Sequence, residues 1–258
     1  MCHVFTLVVL AALGASPAAD QSAAAAGDDF RVENTVFAVD QREPPCESTT
    51  IFHQGVVYDC MKTPAETIVL DAPAGRFVLL NPTRKSRAEL PTSELAAFTD
   101  QLQRVALKSK EPLVKFLAAP KFDVRFDRVG NELSLGSAWA NYRLTVVAES
   151  QAVADRYRQF SDSYARLNAL LNPGSCPPFG RLAVNAELAE RNVIPSEVVL
   201  TVSSLKQSSG SHRVTIRSQH RLVRPLDASD MSRVADARQQ MKNFKVVTFD
   251  EYRKSDLR

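Results

Sequence analysis

The stretch that decides the fold runs from Glu47 to Leu90 and reads ESTTIFHQGVVYDCMKTPAETIVLDAPAGRFVLLNPTRKSRAEL. It divides into short segments rich in Val, Ile, Thr, Phe, Leu and Tyr, each bounded by turn residues, which is typical of β-strands. Glycine permits a positive φ and proline removes a backbone donor, so both residues end strands. The links are too short for parallel crossovers, so we expect an antiparallel meander. The predicted strands are 48–53, Val56–Met61, Glu66–Asp71, Arg76–Asn81 and 84–90.

Periodicity extends the prediction to the rest of the chain. Alternating apolar residues predict further strands, and apolar residues at spacings of three and four predict helices. The predicted strands outside the meander are 29–39, 121–127, 132–135, 138–149, 197–203, 212–223 and 245–249. The predicted helices are 92–108, Gln151–Leu171, 179–191 and one after Asp227 or Ser229, either of which could cap it.

The helix Gln151–Leu171 has the clearest pattern in the chain. An unbroken apolar stripe predicts that Phe160 and Leu167 are buried, and Ser150 is placed to cap the helix at its N-terminus. A short loop follows, so we expect this helix and the next to pack as an antiparallel pair.

Composition is that of an ordinary globular protein. The 258 residues are 45% hydrophobic and 24% charged, with a net charge of +3. Because strands follow as well as precede the helices, we expect residues 29–258 to form one α+β domain. A balance so mildly basic, without a concentrated basic patch, gives no reason to expect a nucleic-acid partner.

The N-terminal residues have the pattern of a secretory signal. An apolar run at 4–15 is followed by small residues at 16–19, which predicts a signal peptide at 1–19 and a flexible lead-in at 20–28. No Lys or Arg precedes the run, which departs from the usual signal. The run is too short to span a bilayer, so we expect no integral membrane span after signal removal. From this predicted signal peptide we expect export to the periplasm or cell envelope.

Catalytic and metal-binding motifs are absent from the sequence. It contains no Gly-x-Ser-x-Gly elbow, no His-Glu-x-x-His pair and no Cys-x-x-Cys pair. We therefore expect no enzyme activity, no cofactor and no metal. Cys60 should face Thr49 across the first hairpin, so a disulfide with Cys46 would need a bulge. An acid–base pair of Glu47 and Asp59 is conceivable, but the favoured interpretation is two solvent-facing carboxylates. His53 stands next to the Gln54-Gly55 turn and is expected to be a surface or strand-end residue.

Two segments of the meander carry a family resemblance. Residues 49–58 (TTIFHQGVVY) and 75–82 (GRFVLLNP) resemble the outer-membrane lipoprotein carrier family and its uncharacterised secreted relatives, over roughly residues 30 to 149. The resemblance implies a curved, unclosed antiparallel barrel whose concave apolar face is covered by helices. The chain departs from the family at 21–28, where the family has a helix, and in the length of the helical region 151–191.

These observations combine into an α+β fold with a bent, open half-barrel-like antiparallel sheet and helices packed on one face. We expect a non-catalytic protein that binds an apolar, lipid-like ligand or a partner segment on the concave face. The alternative is a structural or adaptor domain of the cell envelope with a self-filled core. A register shift of one residue would exchange each candidate for its neighbour. The candidate binding residues are Phe52, Tyr58, Ile68, Leu70, Phe77 and Leu79.

Overall fold

The computed structural model describes residues 29–38, 46–206 and 210–254. The predicted signal peptide at 1–19 and lead-in at 20–28 lie outside these residues. The strands are β1 (Phe30–Ala38), β2 (Cys46–His53), β3 (Val56–Met61), β4 (Glu66–Asp71), β5 (Arg76–Asn81), β6 (Ser86–Pro91), β7 (Asp123–Asp127), β8 (Glu132–Gly136), β9 (Ala140–Ala148), β10 (Val193–Lys206), β11 (Gly210–Val223) and β12 (Lys245–Val246). The helices are α1 (Thr92–Leu107), α2 (Pro112–Ala118), α3 (Gln151–Leu171), α4 (Phe179–Glu190), α5 (Ala228–Asn243) and α6 (Phe249–Lys254).

The strands form one open sheet in the order β12-β6-β5-β4-β3-β2-β1-β11-β10-β9-β8-β7. Neighbours pair antiparallel, except that the short β12 runs parallel to β6. The two outer strands, β12 and β7, do not pair with each other, so the sheet does not close. The predicted α+β class with a large open sheet is confirmed.

The two short helices were not predicted. Pro112 opens α2 at a position where its missing N–H costs nothing, but a proline also ends strands, so it did not by itself indicate a helix. The second, α6, starts from a capping box. The backbone N–H of Thr248 donates to the Glu251 carboxylate at 2.9 Å, and the Glu251 N–H donates to the Thr248 hydroxyl at 3.2 Å. The Thr-x-x-Glu spacing was the signal for this helix.

The meander is buried on both of its faces. One face packs against α1, α3 and α6 and includes the predicted binding residues Phe52, Ile68, Leu70, Phe77 and Leu79. The opposite face packs against α5 and includes Ile51, Val69, Val78 and Leu80. Strands that are covered on two sides read as continuous apolar runs, which explains why the sequence here is so hydrophobic.

The side of the sheet predicted for Tyr58 is wrong. Gln54 and Gly55 both have positive φ, at 51° and 77°, and form the two-residue turn between β2 and β3. This turn pairs Phe52 with Val57 and Ile51 with Tyr58. Tyr58 therefore lies under α5, where its hydroxyl accepts a hydrogen bond from Arg238 Nε at 3.1 Å.

The β8–β10 end of the sheet is covered on one face only. Along β9, Tyr142, Leu144 and Val146 are buried, whereas Arg143 and Val147 are exposed. The buried face packs against Val184 and Leu188 of α4. The predicted alternation along this strand is confirmed, and it orients the strand's polar side chains outward.

Helix α3 has the predicted bounds, and its partner helix lies elsewhere than predicted. The Ser150 hydroxyl caps α3 by accepting from the Val153 N–H at 3.3 Å. Phe160 is 8% exposed and Leu167 0%, so both are buried as predicted. The antiparallel pairing of α3 with α4 is wrong. The connection of residues 172–178 returns along α3, so that Arg181 near the start of α4 lies beside Tyr157 and Ser161.

None of the helices within the described residues has the length and hydrophobicity needed to cross a membrane.

Candidate functional site

A cavity of about 440 Å³ lies between α3 and the sheet. Its floor comes from β1, β2, β3, β10 and β11, and its roof from α3, the connection 175–178 and the first turn of α4. The cavity forms because α4 begins beside the middle of α3, which leaves the sheet below uncovered by a second helix. Most of its wall is apolar or aromatic, from residues such as Val32, Phe52, Phe160, Tyr164, Val198 and Ile216.

A line of polar side chains crosses the cavity floor from β3 to β11. The Thr50 hydroxyl donates to Asp59 Oδ1 at 2.7 Å and accepts from Asn34 Nδ2 at 2.8 Å. The Asn34 Oδ1 lies 2.8 Å from His220 Nδ1, and His220 Nε2 lies 2.9 Å from the Ser218 hydroxyl. We call these five residues the polar seam. Registers of β2 with β3, β1 with β2, and β1 with β11 put all five on one face of the sheet.

The seam has a single hydrogen-bond direction. Burial, and secondarily the charge of Arg181, lowers the pKa of His220 from 6.5 to about 3, so its ring is neutral near neutral pH. The Asn34 Oδ1 can only accept, so Nδ1 of the neutral ring carries the proton and donates, and Nε2 accepts from the Ser218 hydroxyl. Aligned bonds of this kind strengthen one another and leave the seam satisfied by its own members.

Asp59 ends the seam and is the buried carboxyl of the cavity. It is 4% exposed. Burial raises its pKa above the usual 3.8, and hydrogen bonds from Thr50, Ser48 and Tyr164 act in the opposite direction. The same burial, together with the nearby Asp59, raises the pKa of the Tyr164 hydroxyl. The expectation of a solvent-facing Asp59 is wrong, because the face of the sheet on which it lies is covered by α3, whose Tyr164 hydroxyl hydrogen-bonds to it.

Arg181 brings a positive charge to the roof. Its Nη2 donates to the Tyr157 hydroxyl and to the Ser161 hydroxyl, each at 3.2 Å. Within the part of the chain that the structure describes, the guanidinium forms no ion pair with a carboxylate. Arg191, the residue directly after the same helix, does pair with Glu187 at 2.6 Å.

Of the six predicted binding residues, Phe52 alone lines the cavity. Ile68, Leu70, Phe77 and Leu79 lie on the same face of the sheet, inside the closed core beneath the helices. Tyr58 lies on the other face. Their role in binding stays a prediction.

The sequence interpretation missed the seam, Arg181 and the β10 and β11 wall. Ser48 and Thr50 gave a visible signal, since two polar residues at alternate positions interrupt one face of a strand. Their partners could not be found from spacing. Asn34 and His220 are 186 positions apart in the chain and meet only because β1 pairs with β11.

The remaining polar candidates lie elsewhere. His53 is the last residue of β2, which is one of its two expected placements, and it is buried rather than on the surface, at 8% exposed, with its Nδ1 2.6 Å from Asp29 Oδ2. Glu47 pairs with Lys62 at 2.6 Å at the rim of the hairpin. Cys60 faces Thr49 as predicted, and Cys46, Cys60 and Cys176 are free thiols. No group of three or more His, Cys, Asp or Glu side chains among the described residues is arranged to hold a metal ion.

No protein-family model matches the chain, and no curated protein is detectably similar. Among solved structures, the chain is similar to the crystal structure of a LolA superfamily protein from Nitrosomonas europaea. The two are 8% identical, the match covers 78% of this chain and 87% of that one, and the TM-score is 0.26. This is a weak resemblance in fold, and it carries no argument about a ligand.

Proposed function

We propose that the protein is a non-catalytic binding protein that holds an apolar, lipid-like ligand in the cavity between α3 and the sheet. The observation that supports this proposal is the cavity itself, at about 440 Å³ with walls that are mainly aliphatic and aromatic. Ligand sites of proteins are typically concave, about 300–1,000 Å³ in volume and apolar with a few placed polar groups.

The chemistry of the floor fits such a ligand. Asp59, Thr50, Asn34, His220 and Ser218 satisfy one another, so the seam requires no polar partner from a bound molecule. A hydrocarbon lying over it leaves no hydrogen bond unmade, and leaving one unmade in a buried site costs about 1–3 kcal/mol. The proposed binding site therefore lies at the junction of β1 and β2 with β10 and β11, and not in the meander, where the sequence suggested it.

The second candidate is a structural or adaptor domain that fills its own core. The meander favours it, because the face that includes Phe77 and Leu79 is packed by the protein's own helices. The two candidates differ in what occupies the cavity beside that core. In either case we expect export to the periplasm or envelope, on the pattern of residues 1–19, with a mature N-terminus near Ala19 or Asp20. N-terminal sequencing of the protein from its host would test this.

Native mass spectrometry of the protein purified from its host separates the candidates. Ile216 lines the cavity and Val214, two positions earlier on the same face of β11, does not. Ile216→Trp should fill the cavity, and Val214→Trp is the matched control. We expect co-purifying apolar mass, or uptake of the dye N-phenylnaphthylamine, in the wild type and in Val214→Trp, and a clear loss of both in Ile216→Trp. Circular dichroism verifies that all three are folded. Equal uptake by Ile216→Trp, or none by the wild type, would contradict the proposal.

A further inference from the structure

The cavity carries a positive charge that no described carboxylate balances with an ion pair. Arg181 directs Nη2 to two neutral hydroxyls, those of Tyr157 and Ser161. Its Nε and Nη1 make no hydrogen bond to any described residue. A guanidinium has five donors in a planar fork that matches a carboxylate or phosphate, so most of its capacity here is unused.

The other titratable groups of the lining do not supply the missing anion. Asp59 belongs to the seam, where it accepts from Thr50, and burial raises its pKa so that its charge is disfavoured. His220 is neutral near neutral pH, because burial and the charge of Arg181 lower its pKa to about 3. The tyrosines Tyr142 and Tyr164 and the thiols of Cys46 and Cys176 have pKa values raised by burial and are uncharged near neutral pH. Arg181 is thus a positively charged side chain of the lining that forms no ion pair with any described carboxylate.

We propose that the cavity binds an anionic amphiphile, with its hydrocarbon chain over the polar seam and its carboxylate or phosphate paired with Arg181. This inference rests on the proposed function, since it assumes a ligand in the cavity and specifies its head group. The direction of the molecule follows from the placement of the charge. The head group lies at the roof beside Tyr157 and Ser161, and the chain extends along the wall that includes Val198 and Ile216.

Binding of three amphiphiles with the same dodecyl chain tests the head group. Isothermal titration below the micelle concentration would compare dodecanoate, dodecyl phosphate and dodecanol. A hydrogen-bonded pair with a charged group corresponds to about 10- to 100-fold in affinity. We expect the wild type to prefer at least one of the anions over dodecanol by that factor, and the preferred anion identifies the head-group chemistry.

Variants of Arg181 form the second part of this binding test. Arg181→Gln should abolish the preference by weakening the binding of the anion far more than that of dodecanol, whereas Arg181→Lys, which keeps the charge, should retain part of the preference. Arg191→Gln, at the C-cap of the same helix, is the control, because Arg191 pairs with Glu187 and does not line the cavity.

The outcomes separate the two proposals. Equal binding of all three amphiphiles to the wild type would overturn the head-group assignment and leave the apolar cavity standing. An equal loss of anion and alcohol binding in Arg181→Gln would show that the residue only supports the roof, which also overturns the assignment. No binding of any amphiphile would contradict the proposed function itself.

Discussion

The two ends of the sheet are covered differently. Strands β3, β4 and β5 have helices on both sides, and their central residues are buried whichever way they point. Strands β9, β10 and β11 are covered on one side, and that cover is incomplete where α4 begins beside the middle of α3. The most hydrophobic strands of the sheet are thus the ones whose two faces are both filled, and the cavity lies where polar residues are mixed with apolar ones.

The polar seam marks the border between the two ends. An apolar residue at Asn34, Thr50 or Asp59 would extend the closed core across β1 and β2. Burial of the polar residues that are present is unfavourable because they lose their contacts with water. Their hydrogen bonds to one another offset this loss. They hold the floor rigid without filling the space above it. A cavity with a fixed floor is what preorganised binding of an apolar molecule requires.

The largest effect on stability is expected at the filled end of the sheet, strands β3 to β5, where helices cover both faces. Leu167 of α3 is 0% exposed within the core of the meander, so Leu167→Ala should lower the free energy of unfolding by about 2–5 kcal/mol. Urea denaturation measures the change. Leu167→Met is the control, because a swap that conserves volume usually costs less than about 1.5 kcal/mol. A loss near zero for Leu167→Ala would show that the filled end is not a packed core.

At the border, pH should distinguish Asp59 from an ordinary carboxylate. Its folded pKa is raised from 3.8, so the folded state keeps the proton after the unfolded chain has lost it. The stability of the wild type relative to Asp59→Asn should therefore fall as pH rises from about 3.8 towards the raised folded value. Chemical denaturation of both proteins between pH 3 and 7 measures this difference, with Glu47→Gln on the exposed side of the same hairpin as the control. A relative stability that rises with pH would mean that Asp59 is a stabilised ion.

The smallest effect on stability is expected at the other end of the sheet, strands β9 to β11, where the cavity lies. Ile216 lines the cavity and is 38% exposed, so Ile216→Ala should change the free energy of unfolding of the ligand-free protein by less than about 1 kcal/mol. The same denaturation experiment applies. A loss of 2 kcal/mol or more, as for a core residue, would erase the distinction between the two ends of the sheet.

The parts of the fold that the sequence could predict depend on local signals. Alternation and turn residues predicted Val56–Met61, Glu66–Asp71 and Arg76–Asn81 with the bounds observed, and the apolar stripe and Ser150 predicted α3. The face of Tyr58 was missed because the turn at Gln54 sets the register, and a shift of one residue reverses it.

The candidate site depends on long-range pairing instead. Asp59, Asn34 and His220 lie on β3, β1 and β11. The pairing of β1 with β11 joins strands that are far apart in the chain. No local pattern specifies that pairing. The position of α4 is equally non-local, since the loop before it could have folded back tightly or, as observed, returned along α3. Arg181 could not be assigned to the cavity from the sequence, because neither the pairing of β1 with β11 nor the position of α4 was known.

The central claim is that the sheet is filled beneath the meander and open to a ligand beside it. A crystal structure with 12-bromododecanoate tests this most directly, because the anomalous signal of bromine locates the chain end of the amphiphile. We predict a bromine peak over the wall that includes Val198 and Ile216, with the carboxylate at Arg181. A bromine peak between α1 and the meander, among Leu70, Phe77 and Leu79, would contradict the account.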